Sequence, residues 1–169
     1  MVVSEWFQTY DFRVVGDGLV SGAQPSDGAD VEQLVREAGV TRVVNLCQDA
    51  EYAPGEREAV LAAYARLGVG EHRIDLIDFG HVTADALDEA VAVAVPWLRD
   101  GETVYVHCRA GWQRSATVAS GILAVHLGVG VDEALHRIQV RKPSAQPLHH
   151  QLEGLHRWWL DRDPGRSGA

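Results

Sequence analysis

The sequence predicts an α/β protein, a single domain with a central, mainly parallel sheet of four to five strands and helices on both faces. Three observations predict it. Short apolar, β-branched runs alternate along the chain with stretches whose apolar residues recur at helical spacing. That alternation is the pattern of strands joined by crossover helices, which makes a sheet mainly parallel. The chain has 169 residues, 46% of them hydrophobic and 23% charged, enough for one domain with a real core.

The elements follow in order. Residues 12–15 and 19–21, joined by Gly16-Asp17-Gly18, read as a hairpin with a Gly-rich turn. Residues 22–25 form a turn. Ser26 or Asp27 caps a helix to about Ala38, with Val31, Leu34, Val35 and Ala38 on one face, and Gly39 ends it. Residues 41–46 are a strand buried on both faces, and 47–52 a loop. Pro54 suits the first turn of a helix through Val60, Leu61, Tyr64 and Leu67, stopped by Gly68 and Gly70. Residues 71–77 read as a strand and 78–82 as a loop. Thr83 caps a long helix with Leu87, Ala90, Val91 and Ala94 inward, which Pro96 kinks or ends. A buried strand at 103–106 leads through a loop into a buried helix from Ser115 to Leu127. Residues 131–140 form an amphipathic helix with Leu135 and Ile138 inward, and Pro143 and Pro147 bracket a turn. The last helix, 148–160, has Leu152, Leu155 and Trp159 on one face. Residues 163–169 read as a flexible tail, so the domain is 1–162.

Charge and composition exclude several roles. The net charge is −9 and Lys142 is the single lysine. An acidic chain with no basic block is a poor binder of nucleic acid or anionic membrane. The N-terminus has no basic region followed by an apolar one, and so no signal peptide is expected. The apolar stretch 117–131 is broken by Ser120, Gly121 and His126, which fits a core helix better than a membrane span. Cys47 and Cys108 do not make a disulfide framework. No metal-binding pattern appears; His149, His150 and His156 read as a solvated helix face. The expectation is a cytoplasmic monomer with no cofactor and no metal.

The chemistry concentrates in Val106-His107-Cys108-Arg109-Ala110-Gly111-Trp112-Gln113-Arg114-Ser115. A loop from a strand end to a helix start presents unpaired N–H groups and the positive end of the helix dipole, which suits an anion, phosphate above all. Cys108 opens the loop, where the same influences favour a thiolate. Arg114 closes it with a planar fork that takes two phosphate oxygens at once. Gly111 suits a φ > 0 bend or a close backbone approach. A nucleophile on the floor of an anion cradle is an apparatus for phosphoryl transfer. In a parallel sheet ligands gather at the carboxyl ends of the strands. Cys47, Asp78 and Cys108 each follow a strand, so all three are expected at one sheet edge.

His107-Cys108, five residues, then Arg114-Ser115 after a strand resembles the signature of the cysteine-dependent protein tyrosine phosphatases, and the rest of the chain resembles their small dual-specificity branch. The likeness runs from about Phe12 to Trp159. It includes weaker motifs at Gly18 to Pro25 and at Arg141-Lys142-Pro143 to Gln151-Leu152. It implies a metal-independent phosphatase acting on phosphotyrosine, phosphoserine or phosphothreonine in a shallow pocket, its partner a phosphorylated protein or a small phosphate ester. By that likeness Cys108 is the nucleophile. Backbone N–H groups from Arg109, Ala110, Gly111, Trp112 and Gln113, together with Arg114, hold the phosphate. Asp78, before the aromatic Phe79, matches the general acid, with Asp75 as a competitor inside the strand. Ser115 eases departure of the thiolate, and His107 is a buried support for the loop. Asn45-Leu46-Cys47 is also similar to tensin-type phosphatases, in which a second cysteine traps the oxidised nucleophile. A small buried apolar residue is an equal reading of Cys47.

The loop departs from the family at Gln113, Trp112 and Ala116, where smaller residues, or Gly or Pro, are usual. Trp112 and Arg109 shape the pocket mouth or else pack outward. Two other readings remain. One is a phosphate-ligand binding module with little turnover, for which Gln113 leaves room. The other is a different Cys-loop enzyme, a sulfurtransferase or an arsenate reductase, chemistry that needs neither Asp78 nor Ser115.

Overall fold

The computed structural model describes residues 2–162. The expected tail at 163–169 lies outside them. Five strands, β1 (Phe12–Gly16), β2 (Leu19–Gly22), β3 (Arg42–Asn45), β4 (Gly70–Arg73) and β5 (Val104–His107), form one sheet in the order β1-β2-β5-β3-β4. β1 pairs with β2 antiparallel, and the other neighbours are parallel. The turn between β1 and β2 runs through positive φ at Gly16, Asp17 and Gly18, which accounts for its two glycines.

Alternation along the strands divides the interior in two, because successive side chains point to opposite faces. Leu19, Val44, Val104 and Val106 face one apolar cluster, built with α4 (Ala84–Arg99), α5 (Arg114–Leu127), α6 (Val131–Arg141) and α7 (His149–Arg162). Val20, Val43 and Tyr105 face the other, built with α1 (Glu5–Tyr10), α2 (Gly28–Ala38) and α3 (Glu56–Leu67). The mainly parallel sheet with helices on both faces is therefore as the sequence predicts. β5 lies between β2 and β3, so the loop that follows it leaves from the middle of the sheet. α5 is buried from Arg114 to Ala124. No single helix among the described residues is long and apolar enough to cross a membrane.

Three local expectations change. α1 is a helix that the sequence does not announce. Six residues are too few to show a period or to be stable alone, and tertiary contacts hold it. Ser4 caps it, accepting from Phe7 N, and ties it to α2 by donating through N and Oγ to the Asp30 carboxylate at 2.8 and 2.7 Å. β4 ends at Arg73 rather than running to residue 77, so Asp75 is not a strand residue; it is exposed and pairs with Arg73. Pro96 does not end α4, which continues to Arg99. It sits in the last turn, where few hydrogen bonds remain for it to interrupt.

Candidate active site

The loop between β5 and α5 is shaped by donors that take its carbonyls. Arg109 O accepts from Trp6 Nε1 at 2.7 Å and from Gln24 N at 3.1 Å. Gly111 O accepts from Lys142 Nζ at 2.7 Å, and Trp112 O from Gln146 N at 2.7 Å. In a trans peptide the N–H points opposite to the C=O. Fixing these three carbonyls outward therefore turns the N–H groups of Ala110, Trp112 and Gln113 inward. Among the described residues, no backbone N–H from Arg109 to Gln113 has a protein acceptor.

Gly111 makes the curl possible. Its φ is +77°, and a Cβ there would lie 2.6 Å from the Gly22 carbonyl oxygen. Only glycine fits both the conformation and the space. Lys142, the chain's one lysine, is buried beneath the loop, and burial lowers its pKa to about 8.

Cys108 lies just past β5, 3% exposed, with Sγ 3.2 Å from Ser115 Oγ on the first turn of α5. It opens onto a cavity of roughly 220 Å³ that Asp78, Phe79, Trp112, Trp6 and Tyr10 also line. Arg114 is 1% exposed. Its Nη1 donates to Leu76 O at 2.8 Å and to Glu51 Oε2 at 2.9 Å, and its Nη2 to Glu51 Oε1 at 2.5 Å. Nη2 is also 3.1 Å from Asp78 Oδ1. The remaining donor, Nε, is buried with no protein partner. An immobilised cation that directly follows the unpaired loop amides in the chain thus keeps one N–H unused, and together they are a donor set suited to a tetrahedral oxyanion.

Asp78 is partly exposed, on a turn closed by Gly80 N to Ile77 O at 2.8 Å. Phe79 holds a positive φ of +62°. The turn is anchored to α7, where His150 Nε2 donates to Phe79 O and Gln151 Nε2 to Gly80 O, each at 3.0 Å.

His107 is fully buried. It stacks on Tyr105, and its Nδ1 donates to Cys108 O at 3.2 Å. Burial lowers its pKa to about 4, so the ring is neutral. Cys47, past the end of β3, is buried with Sγ 3.8 Å from the same Nδ1. Burial pushes the Cys47 thiol up, and the charges of Glu51 and Cys108 push it further. Both cysteines are free thiols.

The structure therefore brings Cys108 and Asp78 to one cavity, with Ser115 in contact with Cys108 and Arg114 paired with Asp78, while His107 and Cys47 are buried next to Cys108 in the sheet. Arg109 packs its guanidinium on Trp6, 3.8 Å from the ring. Sequence reasoning missed Glu51. Burial acts to raise its pKa, but hydrogen bonds from Arg114 and Gln48 N outweigh that, and the carboxyl is held below the usual range. It also missed Trp6, Gln24, Lys142, Gln146, His150 and Gln151 as supports; all but Trp6 lie within the weak end motifs, the one signal that pointed to them. No group of three or more potential metal-ligating side chains occurs among the described residues.

Comparison with known proteins shows the family and the fold. A protein-family model described as "Tc-R-P: Polymorphic toxin system, DSP-PTPase phosphatase" matches residues 19–128. Human phosphatidylglycerophosphatase and protein-tyrosine phosphatase 1 is 36% identical over 124 residues, 72% of this chain and 58% of its own length. Mouse dual specificity phosphatase 28 is 32% identical over 138 residues, 80% of this chain and 76% of its own. The crystal structure of PTPMT1 in complex with PI(5)P matches with a TM-score of 0.76 at 23% identity, over 89% of this chain and 95% of that one. That of Tk-PTP in the active form matches with 0.75 at 24% identity, over 87% and 95%. At such identities the structures establish the likeness of fold. This chain spans under three fifths of the length of the human relative and about three quarters of the mouse one.

Proposed function

This chain belongs to the dual-specificity branch of the cysteine-dependent protein tyrosine phosphatases, a phosphatase class of enzyme, and we propose that it hydrolyses phosphorylated tyrosine, serine and threonine through a phosphocysteine intermediate on Cys108. One observation carries the reading. Cys108 opens onto a cavity lined by Asp78 and by loop residues whose amides have no protein acceptor, and Arg114, with its Nε unpartnered, is held 3.1 Å from Asp78.

In this mechanism the Cys108 thiolate attacks phosphorus in line with the ester oxygen. The loop amides and Arg114 hold the three equatorial oxygens and the charge spread over them. Asp78 gives its proton to the leaving oxygen, and a phosphocysteine forms. Asp78, now a carboxylate, takes a proton from water as it attacks the phosphocysteine and releases phosphate. Ser115 Oγ donates to Cys108 Sγ as the P–S bond breaks, which eases departure of the thiolate. The route uses no metal. Asp78 suits the acid role better than Asp75, because it lines the cavity and Asp75 does not.

The test is phosphate release from a generic aryl phosphate, with EDTA present, by wild type and by Cys108→Ser. Turnover that survives EDTA and is lost in the variant supports the reading. Turnover retained by Cys108→Ser overturns it. A folded, reduced wild type that binds phosphopeptide without turnover marks a binding module. Thiosulfate or arsenate turnover above phosphatase turnover marks another Cys-loop enzyme.

A further inference from the structure

We infer that α1 makes this site selective for an aromatic leaving group, phosphotyrosine over phosphoserine and phosphothreonine, with Trp6 and Tyr10 as the specificity-determining residues; the inference rests on the phosphatase reading of the Cys108 site. α1 lies about a hundred residues before the Cys108 loop in the chain, yet two of its side chains line the cavity over Cys108.

Trp6 is pinned from two directions. Its Nε1 donates to Arg109 O, and the Arg109 guanidinium lies 3.8 Å from its ring. A cation over an indole face is the most favourable such pairing. Tyr10 packs against Trp6 with ring centroids 4.2 Å apart, and its other side meets Trp112 in an edge-on contact at 5.4 Å. Trp6, Tyr10 and Trp112 are thus a continuous run of three rings in contact. Phe79, beside Asp78, adds a fourth ring to the cavity lining.

A wall of this kind discriminates by the shape of the ester. The phosphate position is set by the loop amides and Arg114, and so the first atoms beyond the ester oxygen lie inside the cavity. In phosphotyrosine those atoms are a rigid ring, which meets aromatic faces and edges along its length. In phosphoserine and phosphothreonine they are a methylene or methine and then polar backbone, which leaves the rings uncovered. Trp112 and Phe79 are 43% and 65% exposed, so apolar surface at the mouth is available for a ring to cover. Trp6 is held before substrate arrives, and a preordered wall loses little freedom on binding.

The experiment separates binding from turnover. Cys108→Ser protein is titrated calorimetrically with two peptides of one sequence that carry phosphotyrosine or phosphothreonine at the same position. It is then repeated in Tyr10→Leu and in Trp6→Leu/Tyr10→Leu backgrounds. The phosphotyrosine peptide is expected to bind more tightly, and the preference, read as the ratio of the two affinities, to fall about tenfold in the double variant, whatever loss both peptides share from the missing Trp6–Arg109 hydrogen bond. Tyr10→Leu removes a ring that makes no hydrogen bond to the loop, and so its share of the loss is read with the hydrogen bond from Trp6 to Arg109 O in place. Equal affinity for both peptides in the parent, or an equal loss for both in the variants, overturns the inference. Wild-type turnover of the same peptides tests the phosphatase reading separately: absent turnover with a retained phosphotyrosine preference defeats that reading and leaves the aromatic wall standing.

Discussion

Glu51 and Arg114 form a two-pronged ion pair beneath the Cys108 loop, with Oε1 to Nη2 at 2.5 Å and Oε2 to Nη1 at 2.9 Å. The same Oε2 accepts from Gln48 N at 2.7 Å, which ties the carboxylate to the short 3-10 helix Asp49–Glu51. The pair takes up both terminal nitrogens of Arg114 and leaves Nε as the donor without a protein acceptor, so Glu51 sets which edge of the guanidinium is free. Removing one partner of a buried pair leaves an uncompensated charge, at a cost of roughly 3–5 kcal/mol. Glu51→Gln is therefore expected to lower stability toward that range and to reduce kcat/KM by about a hundredfold through misplacement of Arg114. Denaturant titration and steady-state kinetics check the two effects. Because the Glu51 carboxyl is depressed in the folded state, its stabilisation is present above the ordinary carboxylate pKa and fades as pH falls below it.

Asp78→Ala is expected to slow turnover according to the leaving group. An acid matters most when the departing oxygen is strongly basic, so alkyl phosphates are expected to lose about 10²–10⁴-fold and activated aryl phosphates much less. A series of aryl phosphates of graded phenol pKa measures this. An equal loss across the series would assign the proton to another group.

His107 predicts an acid limit to stability. Its folded pKa of about 4 lies below the value of about 6.5 for an unfolded histidine. Between those values the unfolded chain holds a proton that the folded chain refuses. Stability is then fully present above about 6.5 and falls as pH drops toward about 4. His107→Asn is expected to flatten that part of the curve, as read by urea unfolding across the window. A slope that survives the substitution places the acid loss on the carboxylates instead.

Cys47 carries a prediction about oxidation. Peroxide is expected to convert the Cys108 thiolate to a sulfenic acid. Attack by the Cys47 sulfur is then expected to expel water and form a Cys47–Cys108 disulfide, which would protect Cys108 from further oxidation. Intact-mass analysis of peroxide-treated protein is expected to show a loss of two hydrogen atoms in wild type and sulfinic acid in Cys47→Ser. Sulfinic acid in wild type at the same rate would leave Cys47 as a core residue.

The sequence alone determined the class of fold and the central loop. Strand and helix periodicities are local, and a Cys108 to Arg114 loop that leaves a strand and enters a helix has a shape set by a few neighbouring residues. Asp78 was legible through the likeness of its loop to the family's general-acid loop, and the structure puts it in the cavity that Cys108 opens onto. Glu51 was not legible. It precedes Arg114 by 63 residues in a loop where carboxylates are common, and it reaches Arg114 only because β3 lies beside β5 in the folded sheet. α1 was not legible either, being too short to show a period and held by Asp30 and by the loop it packs on. Residues near in sequence could build the anion cradle. Which groups hold its arginine, and which rings wall its mouth, was decided by long-range packing, which no local pattern records.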